Sequence, residues 1–153
     1  MSEPCSIEIR FDRRWSHIAP TRVFIQNFVA MALSDQAKAD GMAMATGELL
    51  ENAVKYGVDD VLCAVRTGGE SGGVQASVSN FSTERGARDV QAFYDRVMLG
   101  DALDAYRAQM SHASTRTDGK SQLGLARIRY ETGAEVRLVV TAERQVTFTI
   151  LVK

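Results

Sequence analysis

The chain has 153 residues, of which 45% are hydrophobic and 24% charged, and its net charge is −1. That length and apolar content specify one globular domain with a sizeable core and exclude a disordered chain. The near-neutral balance excludes bulk attraction to nucleic acid or an anionic membrane, and no apolar run approaches the ~20 residues of a membrane span.

The opening MSEPCSIEIR is polar and acidic and carries no signal-peptide core. Cys5 and Cys63 stand far apart, neither in a CxxC, so reduced thiols in a cytoplasmic protein are expected and a zinc or redox motif is not. Residues 6–11, SIEIRF, alternate apolar and polar as a half-buried strand does. Pro20 fits the start of a helix running through TRVFIQNFVAMAL, with Val23, Phe24, Phe28 and Met31 as its expected apolar face. Ser34 and Asp35 are capping types and open the next helix, which stops at Gly57. The internal Gly41 is a weak point that could divide it.

Residues 61–67, VLCAVRT, and 74–80, VQASVSN, read as strands of a hairpin around GGESGG. Apolar residues then recur at three- and four-residue steps over roughly 86–110, with Gly100 predicting a break into two helices. Phe93, Tyr94, Met98 and Tyr106 form a stripe that reads as core, or as the interface of a structural subunit. Residues 111–122 read as loop, and a short helix, LGLARIRYETG, follows. EVRLVVTA and QVTFTILVK close the chain as two strands around a turn at Glu143–Arg144. The order β, α, α, β, β, α, α, β, β predicts a two-layer α/β sandwich: a mixed, mostly antiparallel sheet with helices on one face.

Chemistry concentrates in ATGELLENAVKYG, residues 45–57. Positions i and i+4 of a helix lie nearly above one another, so Glu48, Glu51, Asn52 and Lys55 form one polar stripe. Met42, Ala45, Leu49, Leu50, Ala53 and Val54 cover the rest of the circumference. A carboxylate, a carboxamide and a nearby ammonium can serve as base, metal ligand and phosphate contact. The plainer alternative is a solvated face with a Glu51–Lys55 ion pair. Gly119-Lys120-Ser121 invites a P-loop reading, but the window begins with Ser114 and follows a helix and loop rather than a strand. DGKSQLGLA, residues 118–126, reads better as a glycine-containing loop whose helix start offers backbone N–H groups to an anion. Gly119 and Gly124 allow close approach there, and Lys120 adds charge. His17 and His112 read as surface or cap residues.

An ExxxN helix, a hairpin, a helical segment, a glycine loop opening a helix and a terminal hairpin together resemble the GHKL ATPase superfamily. This is the Bergerat fold of gyrase, histidine kinases and MutL, and the likeness spans about residue 20 to the end. ELLENAVKYG looks like the family's N box. By that match Glu48 takes the position of the general base, Asn52 that of the Mg²⁺-binding asparagine, and Lys55 one near the phosphates. SQLGLARI looks like the second glycine box. The first glycine box departs from the pattern: in SVSNFSTE, Asn80 falls at the adenine-reading aspartate, with Ser82 and Glu84 at the two glycines. Asn80 can accept one hydrogen bond from an adenine amino group, without charge. The resemblance implies ATP and Mg²⁺ as cofactors, with Asn52, Lys55, Asn80, Gly119, Lys120 and Gly124 as nucleotide contacts.

With no dimerising helix pair around a phosphoacceptor histidine, the chain looks most like the anti-sigma factor and switch-protein serine kinases, and within them like SiaB-like kinases. The resemblance implies a regulatory serine/threonine kinase acting on a small STAS-type partner or sigma-factor regulator in bacterial partner switching, and such kinases are commonly homodimers. The competing reading, motivated by the altered first glycine box, is a degenerate domain that binds and sequesters a partner without ATP turnover.

Overall fold

The computed structural model describes residues 4–68, 72–114 and 123–153, without the side chains of 112–114. Strand β1 (Cys5–Phe11) leads through a short 3₁₀ turn (Trp15–His17) into α1 (Ile18–Leu33) and α2 (Gln36–Tyr56). The hairpin β2 (Val61–Thr67) and β3 (Val74–Phe81) precedes α3 (Glu84–Met98), α4 (Ala102–Ser114) and α5 (Gly124–Thr132). Strands β4 (Glu135–Val140) and β5 (Gln145–Val152) finish the fold. The sheet order is β1-β2-β3-β5-β4. Every pairing is antiparallel, so the expected mixed sheet is in fact uniform. Three helices separate the hairpins, the expected pair on either side of Gly100 and the short α5, although the predicted element order counted two. Gly100 supplies the break between α3 and α4 with φ +65°, a backbone conformation glycine adopts without strain.

Alternation along β3 and β5 buries Val74, Ala76, Val78, Val146, Phe148, Ile150 and Val152 on one face. Against them pack Leu49, Leu50 and Ala53 of α2, Val90 and Phe93 of α3, and Leu125 and Ile128 of α5. The opposite face carries Ser77, Ser79, Thr147 and Thr149, all half-buried, and Ser79 and Thr147 share a 2.9 Å hydroxyl contact. The result is a two-layer α/β sandwich with the helices on one face.

Two further expectations need correction. The face that α1 buries is Ile18, Thr21, Ile25 and Val29, while Val23 and Met31 are 55% and 73% exposed. The helix is apolar on nearly every side, so periodicity did not single out the inward face. Gly41 does not divide α2, which runs unbroken from an Asp35 cap that accepts from Lys38 N at 3.0 Å. Tertiary packing outweighs the local cost of one helical glycine, and α2 is clamped between α1 and α5. The aromatic stripe of α3 and α4 is core: Phe93 is buried, while Tyr94, Met98 and Tyr106 pack partly buried against it.

Candidate functional site

The end of α2 is tied to the end of β3. Val58 N donates to Phe81 O at 2.9 Å, and Ser82 Oγ donates to Tyr56 O at 3.0 Å. Gly57 ends α2 in an extended rather than left-handed conformation. A Cβ there would lie 2.7 Å from Asn80 Nδ2 and would strike Ala53 O, so its reason is room. This junction sets Asn52 and Asn80 beside one another as walls of a single interior cavity.

The stretch SNFSTE, where the resemblance implies a glycine box, leads into α3. Residues 82–86 start α3 instead of forming an open glycine turn. Thr83 caps the helix, accepting from Gly86 N at 3.0 Å. Gly86 lets the first turn of α3 sit on α2, since a Cβ would lie 2.5 Å from Ser82 Oγ and 3.1 Å from Tyr56 Cβ. Helix α3 thereby lies over the place between α2 and the sheet.

The polar stripe of α2 does not behave as one solvated face. Asn52 is 7% exposed, and Glu48 is half-buried with its carboxylate on the first amides of α5. Gly124 N donates to Glu48 Oε1 at 2.5 Å and Leu125 N to Oε2 at 3.1 Å, across 76 residues of sequence. Leu123 at the helix N-cap offers no side-chain hydrogen bond, so Glu48 satisfies these orphan donors from another helix and sets its charge at the positive end of the α5 dipole. Gly124 is required by this contact: a Cβ would lie 3.1 Å from Glu48 Cδ and 3.2 Å from Ala45 Cα and N. The fold thus brings the carboxylate of ELLENAVKYG and the start of GLARIRY together. Lys55 is exposed, with Nζ 5.0 Å from the Tyr56 ring centroid. Gly119, Lys120 and the window of the rejected P-loop from residue 115 onward lie outside the described residues.

Two cavities flank Asn52. The inner one is lined by Leu49, Asn52, Ala53, Tyr56, Val78, Asn80, Ser82, Val90, Val146 and Phe148, and its volume is about 10 Å³. That is about the volume one water needs, far short of a purine. Asn80 is 7% exposed and turns Nδ2 onto Phe81 O at 3.1 Å. The outer cleft, about 190 Å³, lies between α2 and α3 and is lined by Asn52, Tyr56, Asp89, Val90, Ala92, Phe93 and Arg96. Val90, Tyr56 and Arg96 are lining residues that the sequence did not single out. Val90 was visible only as one member of an apolar period, and nothing in the pattern assigns it to a cavity.

A single hard oxygen from Asn52, completed by phosphate oxygens and water, is an ordinary way to hold Mg²⁺, and the half of the site around Asn52 fits that role. No cluster of three or more His, Cys, Asp or Glu able to hold a metal exists among the described residues. The inner cavity beside Asn80, about 10 Å³, has no room for a purine as folded.

No protein-family model matches the sequence, and no curated protein matches it with significance. A chain in the crystal structure of the SiaB–SiaC complex from Pseudomonas aeruginosa has a similar fold. It aligns with a TM-score of 0.70 at 13% identity, covering 94% of this chain and 88% of that one. The likeness supports the same arrangement of sheet and helices. No helix among the described residues is long and apolar enough to cross a membrane.

Proposed function

We propose that the chain is a regulatory Mg-ATP-dependent serine/threonine kinase of the partner-switching type, acting on a small STAS-type protein. The observation that carries this reading is the meeting of Glu48 with Gly124 and Leu125, which joins the two best-matched GHKL motifs in space. The structural neighbour, described as a SiaB–SiaC complex, adds support for a protein partner. In this reading Asn52 holds Mg²⁺ through its carboxamide oxygen. The metal would supply charge neutralisation at the phosphates, the main source of acceleration in phosphoryl transfer. Glu48 accepts the proton of the partner's hydroxyl. Lys55 swings from the Tyr56 ring toward the phosphates. Val90 has to draw back before a purine can reach Asn80.

The test is calorimetric titration of Mg-ATP into the wild type and Asn52→Ala. Micromolar binding lost in the variant is expected, and no wild-type binding at millimolar ATP would overturn the reading.

The small inner cavity and the capped state of Glu48 favour a second reading, in which the domain sequesters a partner without turning over ATP. A stoichiometric complex indifferent to nucleotide supports it, and ATP-dependent phosphorylation of the partner excludes it.

A further inference from the structure

Helix α3 carries three arginines, and two of them are neutralised along the helix. Arg88 pairs with Glu84 at 3.4 Å and Arg85 with Asp89 at 4.0 Å. Arg96 pairs with no carboxylate among the described residues; its guanidinium carbon lies 5.9 Å from the Phe93 ring centroid. At that distance the ring is at the edge of cation–π reach, so the exposed guanidinium stays available to a ligand. The turn that bears it is pinned, because Arg129 donates to Val97 O at 3.1 Å and to Gly100 O at 3.0 Å.

Arg96 lines the outer cleft with Asn52, and the one carboxylate among the described lining residues, Asp89, lies 4.0 Å from Arg85. Arg85 draws on Asp89 from outside the cleft, while Arg96 brings to the lining a planar, five-donor group suited to phosphate oxygens. The inner cavity is too small for a base, so the outer cleft is where the anionic portion of a ligand has room.

We propose that Arg96 is the anion-binding residue of this cleft, which Asn52 also lines, and grips the phosphate groups of its ligand. This rests on the nucleotide reading for the identity of the ligand, though not for its charge.

Mg-ATP and inorganic triphosphate are each titrated into the wild type, Arg96→Ala and Arg96→Lys. Both ligands are expected to bind the wild type. Arg96→Ala should weaken them at least tenfold, and Arg96→Lys, which keeps a point charge without the planar fork, should weaken them less. The thermal midpoint of Arg96→Ala should match the wild type, since the side chain is exposed and pairs with no carboxylate among the described residues. Binding of ATP to Arg96→Ala as tightly as to the wild type overturns the proposal while leaving the nucleotide reading intact. Triphosphate binding that needs Arg96, with no ATP binding, upholds the proposal and ends the nucleotide reading. Failure of both ligands to bind the wild type overturns both.

Discussion

Glu48 and Gly124 meet at 2.5 Å, carboxylate oxygen to backbone amide, and Leu125 N completes the pair at 3.1 Å. A carboxylate engaged by two amides at a helix start is a capping group; a general base must instead face the hydroxyl it deprotonates. The two roles draw on the same two oxygens, so a base at Glu48 has only the lone pairs that the amides leave to offer a hydroxyl. Helix α5 and the catalytic residue of the proposed kinase are thereby coupled through one side chain.

Removing the cap should cost stability whether or not the protein is a kinase. Glu48→Ala is expected to destabilise by about 1–2 kcal/mol, the usual worth of a helix cap together with a charge at the positive end of the dipole. Glu48→Gln keeps an acceptor and should lose less. Urea denaturation measures both. In the kinase reading Glu48→Gln also abolishes phosphoryl transfer while ATP still binds, and transfer at the wild-type rate would remove Glu48 from the role of base.

Two glycines of the same helix pair should respond with opposite signs. Gly124→Ala sets a Cβ 3.1 Å from Glu48 Cδ and 3.2 Å from the Ala45 backbone, so α2 and α5 must separate, at about 1–3 kcal/mol. Gly41→Ala meets Ile128 Cγ1 at 3.5 Å and Cδ1 at 3.7 Å, ordinary contact, and should stabilise by about 0.4–1 kcal/mol through the unfolded chain. Thermal or urea midpoints that move in the same direction for both variants would contradict this packing.

The elements were readable because strand alternation and helix punctuation are local. SIEIRF, the strands VLCAVRT and VQASVSN, Gly100 and the closing strands all fall where those signals put them. The inward face of α1 was not readable, since Val23 and Met31 are as apolar as Ile25 and Val29 and only the neighbouring α2 and sheet choose between them. Gly41 misled because helix propensity is a weak term beside tertiary burial. At the site, Glu48 and Gly124 could be joined only through the family resemblance, their separation being 76 residues. The use of Ser82 and Thr83 to bind α2 and begin α3 was not legible, because it depends on a contact with Tyr56 O.

Val90 borders both cavities. Val90→Ala removes two methyl groups from a buried position and should cost about 1–2 kcal/mol of stability. If nucleotide binding requires space beside Asn80, the same substitution should tighten Mg-ATP binding severalfold, which titration reads directly. Unchanged affinity would mean that α3 moves as a unit on binding, so that the size of one side chain does not limit the cavity.

Burial pushes the Cys63 thiol up to about 12, whereas its ordinary value is 9.0. The folded state therefore keeps a proton that the unfolded state gives up as pH rises past about 9. Above that pH the unfolded chain binds fewer protons, so stability should fall with rising pH toward 12. Below 9 the thiol is neutral in both states and contributes no slope. Urea midpoints measured across this range should decline for the wild type, and Cys63→Ala should lack the thiol's share of that decline. Thiol labelling gives an independent check. Exposed Cys5 should react rapidly in the native protein, while Cys63 should react only on unfolding. Rapid native labelling of both thiols would show that β2 is not buried against the helices as described.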